Sequence, residues 1–100
     1  MTKKIFFTAP NLSNFTHAFF SKEGGISKGI YSSLNCGMSS FDQATNIKHN
    51  RKIIANTLGF NIKNLVIGDQ YHSNKVITIK KYEKNLKCDG IISLSNQVTL

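Results

Sequence analysis

The stretch Asn64-Leu65-Val66-Ile67-Gly68-Asp69-Gln70-Tyr71-His72-Ser73-Asn74-Lys75-Val76-Ile77-Thr78-Ile79 decides how this chain folds. Two runs rich in Val and Ile, residues 64–67 and 75–79, read as strands. Between them lies a polar joint, residues 69–74. Strands hold residues rigidly and loops expose them, so a histidine at a strand end, flanked by hydrogen-bonding groups, is well placed for chemistry. Gln70 and His72 are two residues apart and would share one face of an extended strand. No second histidine or cysteine stands at metal-ligand spacing from His72.

Outward from this joint, residues 5–8 and 15–20 are apolar runs separated by a polar break at 11–14. The Gly24-Gly25 pair marks a tight loop, because glycine accepts positive φ and close backbone approach. Residues 42–58 form the one convincing helix. Ala44, Ile47, Ile54 and Leu58 fall at helical spacing, and Ile53 and Ala55 widen the apolar face. Asp42 is the expected N-cap and Gly59 the left-handed C-terminal stop. Arg51 lies on the apolar stripe, where a helix-to-loop salt bridge is expected to satisfy it. Residues 82–87 read as a polar turn, 89–94 as a further strand, and 98–100 as the start of a strand without an evident partner. Strands mixed with one main helix give an α+β (mixed α/β sheet) class.

One hundred residues allow one modest domain or part of a larger one. With 40% apolar residues the chain can build a core, which argues against disorder. The net charge is +8, yet twelve of the thirteen basic residues are dispersed lysines. Specific phosphate and base recognition leans on arginine, so a solvated lysine surface is the favoured reading and nucleic acid is not the expected partner. The two cysteines form no CxxC pair, and the short apolar run after the basic start at Lys3 and Lys4 stops at Pro10. No secretion signal or membrane span of ~18 apolar residues is visible. A reducing cytoplasm with free thiols is the expected setting. Walker and nucleophile-elbow motifs are absent. Among the histidines, His17 suits a core or strand-capping position and His49 an exposed helix face. Neutral imidazole binds zinc or copper and serves in acid–base work, which makes His72 the leading candidate.

Five segments in order then carry a resemblance. Residues 19–27 (Phe-Phe-Ser-Lys-Glu-Gly-Gly-Ile-Ser), 31–37 (Tyr-Ser-Ser-Leu-Asn-Cys-Gly), the helix with Asn50-Arg51-Lys52, Gln70-Tyr71-His72, and Cys88-Asp89-Gly90-Ile91-Ile92-Ser93 resemble the YfiH-type family. That family is called laccase-like polyphenol oxidoreductases and is also described as purine nucleoside phosphorylases. The resemblance implies that residues 1–100 are a single partial domain, the N-terminal portion of a YfiH-like fold, incomplete at its C-terminal side. It implies phosphorolysis of adenosine, inosine or methylthioadenosine, with adenosine deamination also ascribed to the family. It implies zinc, with copper as the other candidate metal, bound in part by His72, which would be both metal ligand and catalytic residue. The further Cys and His ligands belong to motifs without counterparts here, so a downstream segment or separate chain is expected to complete the site. Lys22, Asn35, Gln70 and Asp89 are the implied substrate-binding residues. Lys22 stands where the family often has Arg, and Ser73 where it usually has Gly.

The alternative is a small basic module that binds nucleic acid. Such a module would show steep salt dependence. The expected outcome is no gel shift with single- or double-stranded nucleic acid at low salt; a shift that weakens steeply with added salt would support the alternative.

Overall fold

The computed structural model describes residues 4–100, and the basic start at Lys3 lies outside them. The residues group into two compact units, Met1–Gly59 and Phe60–Leu100. With one α-helix and short strands in small sheets, the fold is of the mixed α+β kind.

In the first unit, β1 (Phe6–Phe7) pairs antiparallel with β2 (Phe19–Phe20). The cross-strand rings of Phe6 and Phe20 lie 5.8 Å apart between centroids, the close aromatic pairing that stabilises short ladders. His17 is half-buried and ties the intervening loop: its Nε2 accepts from the Ala9 N–H at 2.8 Å. The two glycines of the tight loop serve different needs. Gly24 has φ +92°, whereas a Cβ on Gly25 would come within 2.1 Å of the Ser33 carbonyl oxygen. This close approach lets the Lys22 carbonyl accept from Ser33 N–H, Ser33 Oγ–H and Leu34 N–H.

Helix α1 spans Ala44–Leu58 and ends at Gly59, in the left-handed region with φ 79°. Its N-cap is Gln43, and Gln43 makes no capping bond through its side chain. Asp42, expected as the cap, has its carboxylate turned to other donors: Ser27 Oγ–H, Asn35 Nδ2–H and the Gln43 N–H. The carboxylate thus accepts from loop donors and from the Asn46 side chain rather than from the backbone N–H groups of the first turn of α1. Arg51 also departs from expectation, because Nε and Nη2 both donate to the Cys36 carbonyl, at 2.9 and 2.7 Å, rather than to a carboxylate.

Of the expected apolar face, Ile47 and Ala55 are buried and Ile54 and Leu58 partly so, while Ala44, at the helix start, is exposed; between Ile47 and Ala55 sits fully buried Asn50. Its amide is satisfied throughout: Oδ1 accepts from Ile26 N–H, while Nδ2 donates to Ser27 Oγ and the Asn35 carbonyl. Asn50 therefore joins the glycine loop to the 35–36 segment from one side chain.

In the second unit, β3 (Gly68–Asp69) pairs parallel with β5 (Leu86–Lys87), and β4 (Val76–Ile79) pairs parallel with β6 (Gly90–Ser93). Val66, Ile79, Leu86 and Cys88 form its buried core, with Ile77, Ile91 and Val98 packed against them. Three expectations are corrected here. Ladder pairing lies at 68–69 rather than 65–67, where Leu65 makes only an isolated bridge. Residues 86–87, read as turn, form β5, because Leu86 is drawn into the core. The 98–100 segment does find a partner: Thr99 bridges Leu65 in parallel, with Val66 N–H donating to the Thr99 carbonyl at 2.7 Å.

Two predictions follow from the first unit. Asn50→Ala leaves buried partners unsatisfied and is expected to lower unfolding free energy by about 3 kcal/mol, read from urea unfolding. A loss within error of zero would refute the role given to Asn50. The Ser27 hydroxyl holds the Asp42 carboxyl below its usual range, with Asn35, Gln43 and Asn46 adding to the effect and partial desolvation opposing it. The folded-state value is depressed, so this contribution is fully present above the ordinary value of about 3.9 and is lost as pH falls through the lower folded value. Below about pH 4, Asp42→Asn should flatten the decline in urea midpoint; an unchanged acid slope would contradict it.

Candidate functional site

The His72 loop is an excursion from a parallel ladder. On one side the chain runs from β3 through residues 70–75 into β4. On the other it runs from β5 through Cys88 and Asp89 alone into β6. The shorter crossing is anchored by its backbone: Cys88 N–H donates to the Asp69 carbonyl at 3.2 Å, and Asp89 N–H and Gly90 N–H both donate to the Lys75 carbonyl. The six residues between Asp69 and Val76 must bulge outward, which takes the N–H groups of residues 71–73 away from ladder partners.

Asp89 replaces those partners. Its Oδ1 accepts from Tyr71 N–H at 3.1 Å and His72 N–H at 2.9 Å. Its Oδ2 accepts from Ser73 N–H at 2.9 Å and from the Ser73 hydroxyl. Ser73 Oγ in turn accepts from Lys75 N–H at 3.1 Å. Consecutive N–H groups converging on one anion form a backbone nest, and here the anion is the protein's own side chain. The hydroxyl of Ser73 first, then the three N–H groups, holds the Asp89 carboxyl below its usual range against partial desolvation.

The nest requires a left-handed residue, and His72 supplies it with φ 64°. Such φ is uncommon outside glycine and persists where surrounding contacts impose it. Ser73, expected from the resemblance to replace a glycine, is not in the positive-φ region; the left-handed turn falls on the histidine. His72 is exposed, and among the described residues no hydrogen-bond partner holds its imidazole. Because the loop is not extended, Gln70 and His72 do not share a strand face as alternation suggested. Gln70 is exposed just past the end of β3.

Of the implied site residues, Gln70, His72 and Asp89 belong to the second unit, with Asp89 bonded directly to the His72 backbone. Lys22 and Asn35 belong to the first. Lys22 is exposed, and its carbonyl fixes the glycine loop. Asn35 is committed within its own loop, with Nδ2 donating to Ser40 Oγ and Asp42 Oδ2 and Oδ1 accepting from Gly37 N–H. Sequence reasoning missed the serine in this role and the fully satisfied Asn50. The spacing of Ser73 and Asp89 is meaningful only once parallel pairing sets the two crossings side by side.

The residues present do not by themselves fit a complete zinc site. Structural and catalytic zinc take three or four protein ligands, and among the described residues no group of three or more His, Cys, Asp or Glu side chains could hold a metal ion. Cys88 is fully buried in the core. Cys36 is half-buried, its thiol pushed up by desolvation and partly offset by Arg51. A cavity of about 550 Å³ bordered by Phe60, Asn61, Lys80, Lys81, Tyr82 and Asn96, among others, does not include His72 in its lining. The chemistry available at the loop is that of one accessible imidazole on a backbone pinned by a carboxylate.

Comparison with known proteins matches residues 16–100 to the family described as multi-copper polyphenol oxidoreductase laccase. The chain is 29% identical to purine nucleoside phosphorylase YlmD of Bacillus subtilis, over 93% of this chain and 37% of that protein. It is 30% identical to the Geobacillus stearothermophilus protein of the same name, over 76% of this chain and 28% of that protein. Among solved structures, Bacillus licheniformis YfiH superposes with TM-score 0.74 at 26% identity, covering 81% of this chain and 34% of that one. YlmD from Geobacillus stearothermophilus gives 0.69 at 28%, covering 78% and 32%. The chain thus spans roughly a third of the length of these relatives. With its ordered motifs, its fold and a family match over most of its length, the chain belongs to the YfiH-like polyphenol oxidoreductase laccase family.

Proposed function

We propose that this chain is the N-terminal portion of a purine nucleoside phosphorylase acting on adenosine, inosine or methylthioadenosine, with adenosine deamination as a second activity. The observation that carries the reading is the match to one protein of that name, from Bacillus subtilis, over 93% of the chain, a span that includes the His72 loop. In phosphorolysis the C1′–N9 bond of the nucleoside breaks and a phosphate oxygen bonds to C1′. The bonding pair departs with the purine nitrogen, which takes up a proton.

In this reading His72 is one donor of a zinc site, with copper as the other candidate metal, and the remaining donors come from polypeptide outside these residues. Zinc, when bound in such a site, polarises an oxygen or activates water. The chain's own contributions are separate. His72 offers an imidazole able to coordinate or to carry a proton. Support for an anionic co-substrate comes from Arg51, a half-buried guanidinium with two donors bound to the Cys36 carbonyl and further N–H groups to offer. Lys22, exposed in the glycine loop, adds a second cationic group. The cytoplasm is the setting that fits nucleoside and phosphate as partners.

The test combines this chain, by co-expression, with the remaining C-terminal segment of the Bacillus subtilis relative. Adenine release is expected to depend on phosphate, to be lost in His72→Ala, and to be absent from the chain by itself. Adenine release that ignores phosphate, or that survives His72→Ala, would overturn the reading.

A further inference from the structure

We propose that Asp89 and Ser73 act together as positioning residues that set the conformation of His72, and that the Ser73 hydroxyl is the element that stiffens the loop. The inference rests on the reading of His72 as a site residue, and it goes further in assigning Asp89 a role other than substrate contact. Both oxygens of the Asp89 carboxylate are taken up by residues 71–73. A substrate group would have to displace those bonds to reach it.

The geometry explains why two residues are needed. Three N–H groups around one carboxylate set the path of the loop, and any residue but proline at position 73 can supply its N–H. The Ser73 hydroxyl does two things a glycine cannot: it donates to Asp89 Oδ2 and accepts from Lys75 N–H. It therefore links the nest to the first residue of the return into β4. His72 stands between the two arms of this clasp at φ 64°, a conformation that a free loop would abandon. Fixing the backbone narrows the directions in which the exposed imidazole can point, which is the function of a supporting shell around a site residue.

The test uses the full 100-residue chain, isotopically labelled, with amide hydrogen exchange at residues 71–73 and relaxation of the His72 ring resonances as readouts. Ser73→Ala and Ser73→Gly are each expected to speed exchange at these amides by about tenfold, and Asp89→Asn by about a hundredfold, as bonds to a charged group are lost. Ring relaxation of His72 should show greater motion in the same order. Ser73→Thr keeps a hydroxyl and is expected to restore parental exchange and ring order. Amides of the β4–β6 core should exchange as in the parent, which separates loop loosening from global destabilisation. Should Asp89→Asn fail to fold, the three Ser73 variants decide the matter with the carboxylate intact. Parental exchange in Ser73→Ala, failure of Ser73→Thr to rescue, or equal acceleration in the core would overturn the proposal. Nucleoside and phosphate are absent from these measurements, so a failed phosphorolysis assay and a failed clasp are distinguishable results.

Discussion

The Asp89 carboxylate is the interaction on which the candidate site depends. Parallel pairing of β3 with β5 and of β4 with β6 places a two-residue crossing beside a six-residue one. The longer crossing cannot stay in the ladder, and its N–H groups would be left without protein partners. One carboxylate accepts three of them together with a hydroxyl. An ionised acceptor makes stronger bonds than a neutral one, which suits it to hold a left-handed residue in place. Remove the anion and the loop has no reason to keep His72 where it is.

The first unit solves a similar problem with an amide. Asn50, fully buried on α1, binds the backbone of the glycine loop and of the 35–36 segment at once. Beside it Arg51 binds the Cys36 carbonyl through two donors. Two successive helix residues therefore anchor loops whose own backbones form little regular structure. Buried polar groups of this kind tolerate no half measures, since an unsatisfied partner costs more than a satisfied one contributes. The Asn50-Arg51 dipeptide in the family-like helix motif acquires a structural meaning from this arrangement.

The extent of the match frames how this chain is to be understood. It carries the family's ordered motifs and superposes well, yet spans roughly a third of the length of its relatives. In the proposed reading, an accessible imidazole on a clasped loop is what the described residues bring to the site. A nucleoside, a phosphate and a metal would demand more groups than these, which is why activity belongs to a longer assembly in the reading proposed above.

Periodicity made α1 and its glycine stop legible, and paired glycines made the tight loop legible, because both depend on neighbours along the chain. The Val- and Ile-rich runs marked the strand region for the same reason, and the prominence of His72 followed from its place in a polar joint. What local pattern could not supply was which strand pairs with which. Leu86 and Lys87 look like part of a turn until β3 lies beside them, and Thr99 looks unpartnered until Leu65 does. Asp42 has the chemistry of a helix cap, but Ser27 and Asn35 claim its carboxylate from elsewhere in the sequence. Asp89 lies sixteen residues from Ser73, and only tertiary pairing closes that gap. Sequence alone determined α1 and the glycine turns, whose hydrogen bonds are local, although the short 3-10 turns at 10–12, 29–31 and 62–64 left no pattern strong enough to read; tertiary structure decided the bonds between distant residues, including those that hold His72.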